Sequence, residues 1–266
     1  MSDLVARFRD SERGVSDLER GLAHVARAGG GGPSAEAMAS ARLFNIEEPN
    51  ADDFRFHKQA KTLVLGAGLL GMHNAARHLD HYLSGGEMGS VGRDASGALA
   101  AEPVGLTVDV SAMLREIGGF LDQVQRSVEE LRAAIETALA NGPTPRRRRG
   151  RRNVAGASTL TSNDWFYALG RFSYQVNAEI APLRGQGQGS PREVAVRYVL
   201  HVTDFYDWDQ DAVTLPIPHP ETGEAITIPD GAMRRLHRVG LAREYPIEGE
   251  HLLLVDSVRL PGAKGG

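Results

Sequence analysis

The sequence predicts an α+β protein in two unequal parts: a helical N-terminal region, then a small, mainly antiparallel β C-terminal domain with one short helix. Three observations predict it. Up to about residue 140 the apolar residues recur at the three-and-four spacing of helices. Past residue 153 they gather in short runs rich in β-branched and aromatic residues. Between the two lies Asn141-Gly-Pro-Thr-Pro145 followed by six arginines: Arg146, Arg147, Arg148, Arg149, Arg151 and Arg152. The expected division is 1–140 as a helical delivery or docking region, 141–153 as an arginine-rich linker and 154–266 as the β domain.

Each element follows from local pattern. Residues 3–28 read as an amphipathic helix, with Leu4, Phe8, Val15, Leu18, Leu22 and Val25 near one stripe, ended by Gly29-Gly-Gly-Gly-Pro33. The spacing predicts a second helix over 58–84, burying Leu65, Leu69, Met72, Ala76, Leu79 and Leu83, before a Gly/Ser-rich break. A third spans 110–140, with Ser111 as N-cap and a stripe from Leu114 through Phe120, Val124, Leu131 and Ile135 to Leu139. The arginine run, flanked by turn formers and self-repelling, reads as a solvated tether. Strands are expected at 165–180, 194–202, 225–228 and 252–258, a hairpin loop at 183–190, and the short helix at 230–241.

Composition narrows the functional classes. The absence of cysteine excludes disulfides, thiolate metal sites and cysteine catalysis. A formal net charge of −4 gives no global reason to favour nucleic acid as partner. No apolar run is long enough to span a membrane, and the charged N-terminus lacks the apolar core of a signal peptide. Export is therefore expected through a dedicated apparatus.

Three motifs bear on chemistry. Gly66-Ala-Gly68-Leu-Leu-Gly71 has the letters of a dinucleotide fingerprint, but the next 20 residues supply no buried strand ending in an acid. Glycines that let a helix pack closely are the preferred reading. Asp204-Phe-Tyr206-Asp207-Trp208-Asp209-Gln-Asp211 places four carboxylates in eight residues directly after an apolar strand. Alternate carboxylates share a face of an extended chain, which suits a hard divalent cation such as Mg²⁺ or Ca²⁺. The 207–211 spacing resembles the start of an EF-hand loop. Yet Ala212 takes its glycine position and Pro218 its bidentate glutamate, so that site is rejected. The bland alternative is an acidic strand edge that resists pairing. His237-Arg238 joins a group that titrates near neutrality to a planar fork suited to phosphate. An exposed surface pair is the alternative there, and His219 is a substitute for His237.

Taken with Asn163-Asp-Trp-Phe-Tyr-Ala-Leu-Gly170, Phe172-Ser-Tyr-Gln-Val176 and Leu236-His-Arg-x-Gly240-Leu-Ala-Arg-Glu-Tyr245, these motifs resemble the ends of actinobacterial polymorphic toxin-type proteins. The helical stretch around Ala75-Ala-Arg-His-Leu-Asp-His-Tyr-Leu83 resembles their N-terminal partner region. Asp204-x-Tyr206-Asp207 followed by His237-Arg238 is also similar to the signature of colicin M-type bacteriocins, which split the lipid–pyrophosphate linkage of lipid II. Here His-Arg stands farther along the chain than in that family. The resemblance implies an antibacterial toxin with Asp204, Tyr206, Asp207, His237 and Arg238 as catalytic residues and Asp204, Asp207 and Asp209 around a divalent cation. It also implies a lipid-linked substrate at the target cell envelope, a cognate immunity protein, and a secretion apparatus or chaperone engaging the N-terminal helices. Two alternatives are a non-enzymatic binding protein displaying Trp165, Phe166, Tyr206 and Trp208, and a nuclease-type toxin.

Overall fold

A computed structural model describes residues 43–88, 103–141, 145–158, 160, 162–182, 193–208, 217–218, 225–226 and 230–259. The amphipathic stretch 3–28, the loop 183–190, Asp209 and His219 lie outside the described residues. In chain order the elements are α1 (Ala51–Leu69), α2 (His73–Met88), β1 (Leu106–Thr107), α3 (Val110–Glu116), α4 (Phe120–Asn141), β2 (Arg147–Gly156) and α5 (Asn163–Ala168). There follow β3 (Arg171–Pro182), β4 (Glu193–Tyr206), β5 (Ile217–Pro218), β6 (Ala225–Ile226), α6 (Asp230–Arg238) and β7 (Tyr245–Arg259).

The fold class is α+β. Five strands form one mixed sheet in the order β1-β7-β4-β3-β2, and β5 and β6 make a separate two-stranded ribbon. Ladders β2–β3, β3–β4 and β4–β7 are antiparallel, whereas β1 runs parallel to β7, Leu106 opposite Ile247. The parallel strand comes from the N-terminal region, in the connection between the two helices expected at 58–84 and 110–140. Gly249 lets it approach: a Cβ there would meet Val110 Cγ2 at 2.6 Å and Val108 Cγ2 at 2.7 Å.

Two expected helices are each two. The 58–84 pattern is cut at Gly71, which adopts φ +77°, so α1 ends at Leu69 and α2 begins at His73. The break resets the helical phase. Leu65 and Leu69, expected inside, are 69% and 78% exposed, while Ala60, Leu63 and Ala67 are buried in their place. Gly66 and Gly68 lie within α1, so the glycine motif is helix and no strand-to-helix loop forms. The 110–140 pattern is likewise cut at Gly119, φ +76°. Its cap is Asp109, whose Oδ1 accepts from the Ala112 N–H at 3.0 Å, and not Ser111.

The arginine run is not a tether. Arg147 to Asn153 belong to β2, paired with β3 from Arg147 opposite Glu179 to Gly156 opposite Arg171. Like charges disfavour a strand in isolation, but β3 supplies a full ladder of backbone partners. A bulge between Arg149 and Arg152 interrupts the register there, and the Gly150 carbonyl accepts from Gln175 Nε2 at 2.7 Å. The strand expected from Trp165 begins only at Arg171. Ser162 caps the Trp165 N–H and starts the short α5 instead.

One cluster of buried side chains runs through helices and sheet alike. It includes Leu63 of α1, Tyr82 of α2, Phe120 and Ile135 of α4, and Tyr174, Leu200 and Ile247 of the sheet. Side-chain bonds tie the parts. The Asp164 carboxylate on α5 caps α2, taking the Ala75 N–H at 2.7 Å and the Asn74 N–H at 3.1 Å. Trp165 Nε1 donates to Glu116 of α3 at 2.8 Å.

Candidate functional site

The central strand β4 ends in Asp204-Phe-Tyr206 and passes into Asp207 and Trp208. Alternation gives Asp204 and Tyr206 the same face of β4, where Tyr206 is 8% exposed and Asp204 half-buried, while Asp207, just past the strand, is exposed. Tyr206 stacks on Tyr245, the first residue of β7, with centroids 5.1 Å apart and planes at 17°. Its other ring neighbours are His78 at 5.7 Å, Tyr82 at 5.8 Å and Trp208 at 5.9 Å. The end of the sheet is thus an aromatic floor packed beneath α2. Burial pushes the Asp204 carboxyl up to about 8, with Asp207 adding repulsion and the Phe205 N–H opposing the rise.

Helix α2 supplies the side of this floor. His78, 1% exposed, has Nδ1 3.0 Å from the Tyr245 hydroxyl, which donates to the His78 carbonyl at 2.9 Å. Burial lowers the His78 pKa to about 4, with Arg77 and His81 adding to the effect. The His81 ring meets Tyr245 edge-on at 4.4 Å and its Nε2 lies 2.7 Å from the Val104 carbonyl. Arg77 is exposed and donates to the Thr107 carbonyl at 3.1 Å. These residues are missed by a search for metal-ligand pairs. The signal for them is present: His78, His81 and Tyr82 recur at helical spacing, on the face that α2 turns to the sheet.

His237 and Arg238 lie elsewhere. His237 is 1% exposed, its ring 5.5 Å from Phe44. The Glu244 N–H donates to its Nδ1 at 3.2 Å, which leaves the ring proton on Nε2, 3.7 Å from the Glu244 carboxylate. Arg238 pairs with Glu47. Beside it Arg235 reaches Asp53 at 2.7 Å and Glu47 at 2.5 Å, so α6 is clamped to the start of α1. The clamp continues through the backbone, the Asn45 N–H donating to the His237 carbonyl and the Ile46 N–H to that of Arg238. Tyr82 stands between the two groups, its ring against Tyr206 and its hydroxyl donating to the Met233 carbonyl of α6 at 2.6 Å.

The structure therefore brings Asp204, Tyr206 and Asp207 together at one strand end, and places His237 and Arg238 on the far side of Tyr82. Among the described residues no three His, Asp or Glu side chains gather as metal ligands, and no helix is long and apolar enough to cross a membrane. No family model, curated protein or solved structure matches the chain.

Proposed function

We propose that the chain is an antibacterial toxin that hydrolyses the lipid–pyrophosphate linkage of lipid II, with Asp204 and Asp207 holding a divalent cation. The observation that supports this reading best is the end of β4, where the half-buried Asp204 and the exposed Asp207 flank Tyr206 and its stack on Tyr245. Asp204 is desolvated and repelled by Asp207, a state that a hard cation relieves, and carboxylate oxygens are the donors such a cation takes. Mg²⁺ or Ca²⁺ there would act as Lewis acid on a phosphoryl oxygen. Asp209 is a further ligand in this reading.

The chain's own groups do the rest. Tyr206, enclosed by four rings, fixes the strand end and so the separation of the two carboxyls. Arg77, exposed on α2 with its charge felt at Tyr245, neutralises non-bridging phosphate oxygens from the side. His237 and Arg238 hold α6 in place and do not meet the substrate. The target lies at the envelope of another cell. The partners are a cognate immunity protein and, for the N-terminal helices, a secretion apparatus or chaperone.

The test uses the full chain, because helices and sheet share one core. Expression is directed to the periplasm and separately to the cytoplasm of a test bacterium, alongside Asp204→Asn and Asp207→Asn. Lysis from the periplasm alone, lost in both variants while circular dichroism is unchanged, is the expected result. Full toxicity of the two folded variants sinks the reading, and cytoplasmic killing alone transfers the target inside the cell.

A further inference from the structure

The overall charge of −4 argues against polyanions only if the charge is spread evenly, and the fold concentrates it instead. The six arginines between 146 and 152 are not strung along a tether: five lie within β2 and Arg146 immediately precedes it. β2 is the last strand of its sheet, so among the described residues one of its backbone edges has no neighbouring strand. Strand geometry sends Arg147 and Arg149 to one side and Arg148 to the other, with same-side neighbours about 7 Å apart. The bulge then turns the register before Arg152. Arg147, Arg149 and Arg152 thus share the face away from α4, opposite Glu179, Asn177 and Gln175, while Arg148 lies on the face that α4 packs against.

Part of this charge has no ionic partner within the described fold. Arg147 lies 3.8 Å from Glu179, but that carboxylate is held closer, at 3.1 Å, by Arg197. Arg152 reaches the neutral hydroxyl of Thr203 at 3.4 Å. Among the described residues no carboxylate is paired with Arg146, Arg148 or Arg151. Holding like charges at fixed positions is unfavourable, and a polyanion of matching form relieves it.

We propose that the β2 edge is a docking ridge for the phosphate backbone of single-stranded nucleic acid. Every cation is arginine, whose planar fork grips phosphate through paired N–H donors where lysine acts as a point charge. Guanidinium groups spaced along one narrow edge strand suit a single flexible phosphate backbone laid along it, whereas a bilayer is met by a broad basic plane. Beyond the arginines, past the Gly156 end of β2, stand two partly exposed rings, of which Phe166 also packs on the core. There the Ala157 N–H bonds the Gly170 carbonyl at 2.9 Å, and just before that glycine α5 presents Phe166 and Tyr167, half-buried and 5.2 Å apart. Partly exposed rings beside a basic track are the usual platform for unpaired bases. The ridge is independent of the Asp204 site, and either can fail without the other.

The experiment is fluorescence anisotropy of a labelled oligothymidylate titrated with the full chain over a salt series. Binding should weaken with a log–log slope of about −3 for phosphates neutralised by Arg146, Arg148, Arg151 and Arg152. The Arg146→Gln/Arg148→Gln/Arg151→Gln variant, with unchanged circular dichroism and melting temperature, should bind about tenfold more weakly or worse, its slope smaller by about 2. The corresponding triple lysine variant should keep most of the slope, which separates charge from any disturbance of β2. Absence of salt-dependent binding, binding indifferent to the glutamine variant, duplex bound as tightly as the single strand, or preference for phosphatidylglycerol vesicles would each overturn the proposal.

Discussion

β4 and β2 belong to the same sheet, separated only by β3, yet they are strands for opposite reasons. β4 is intrinsically a strand: from Val194 to Val202 every residue is buried, and the run is rich in β-branched and aromatic side chains. β2 has almost no apolar residue before Val154, and only Ala155 is buried along it. It is a strand because β3 offers it a ladder. Centre and edge thus show that packing dictates the first and backbone pairing the second, so substitutions at the two places should be felt differently.

The largest effect is expected at the centre. Leu200→Ala empties a fully buried site between the sheet and its helices, and should cost about 2–5 kcal/mol in urea unfolding. A cost below 1 kcal/mol would remove the distinction between the strands. The edge responds to backbone and not to side-chain volume. At Gly150 a Cβ would press into the Val176 carbonyl of β3, which cannot rotate away. Gly150→Ala is therefore expected to cost about 1–3 kcal/mol, with amide exchange accelerated along β2 but not along β4. Uniform acceleration would mean that the two strands share one fate.

The smallest effect is a pH dependence at the aromatic end of the centre. His78 faces Tyr245, Tyr206, His81 and Arg77, and its pKa is lowered from 6.5 to about 4. The folded state binds the proton less readily than the unfolded chain, so this contribution is fully present above pH 6.5 and is lost as pH falls toward 4. His78→Gln should shrink the difference in stability between pH 7 and pH 5. An unchanged difference would place that pH dependence in other groups.

This contrast also explains how much was legible in the sequence. The fold class, β4, most of β7 and the buried stripe of α4 announce themselves through their apolar patterns, and the short α6 through Asp230 at its start and Gly240 after its end. The arginine strand does not, because a strand made by its neighbour leaves no hydrophobic pattern of its own. The helix breaks at Gly71 and Gly119 were hidden for another reason: each glycine sits inside a run whose apolar spacing continues across it. Of the candidate site, the juxtaposition of Asp204, Tyr206 and Asp207 followed from adjacency in sequence. The separation of His237 and Arg238 did not, since Glu47, Asp53 and Glu244, which fix them, lie on segments with no motif. His78 and Tyr245, far apart in the chain, meet only through the packing of α2 on β7.

The parallel pairing of β1 with β7 has a consequence in time. Leu106 must wait for Ile247, about 140 residues later, and at ordinary rates of synthesis that interval is about 7–30 s. Throughout it Val108 and Val110, which close on Gly249, have no β7 to lie on. On a ribosome the helices emerge first but the core that holds them is closed last. A nascent chain of this design therefore spends its longest interval with its stickiest surface uncovered, and a chaperone present during synthesis would find it most readily there.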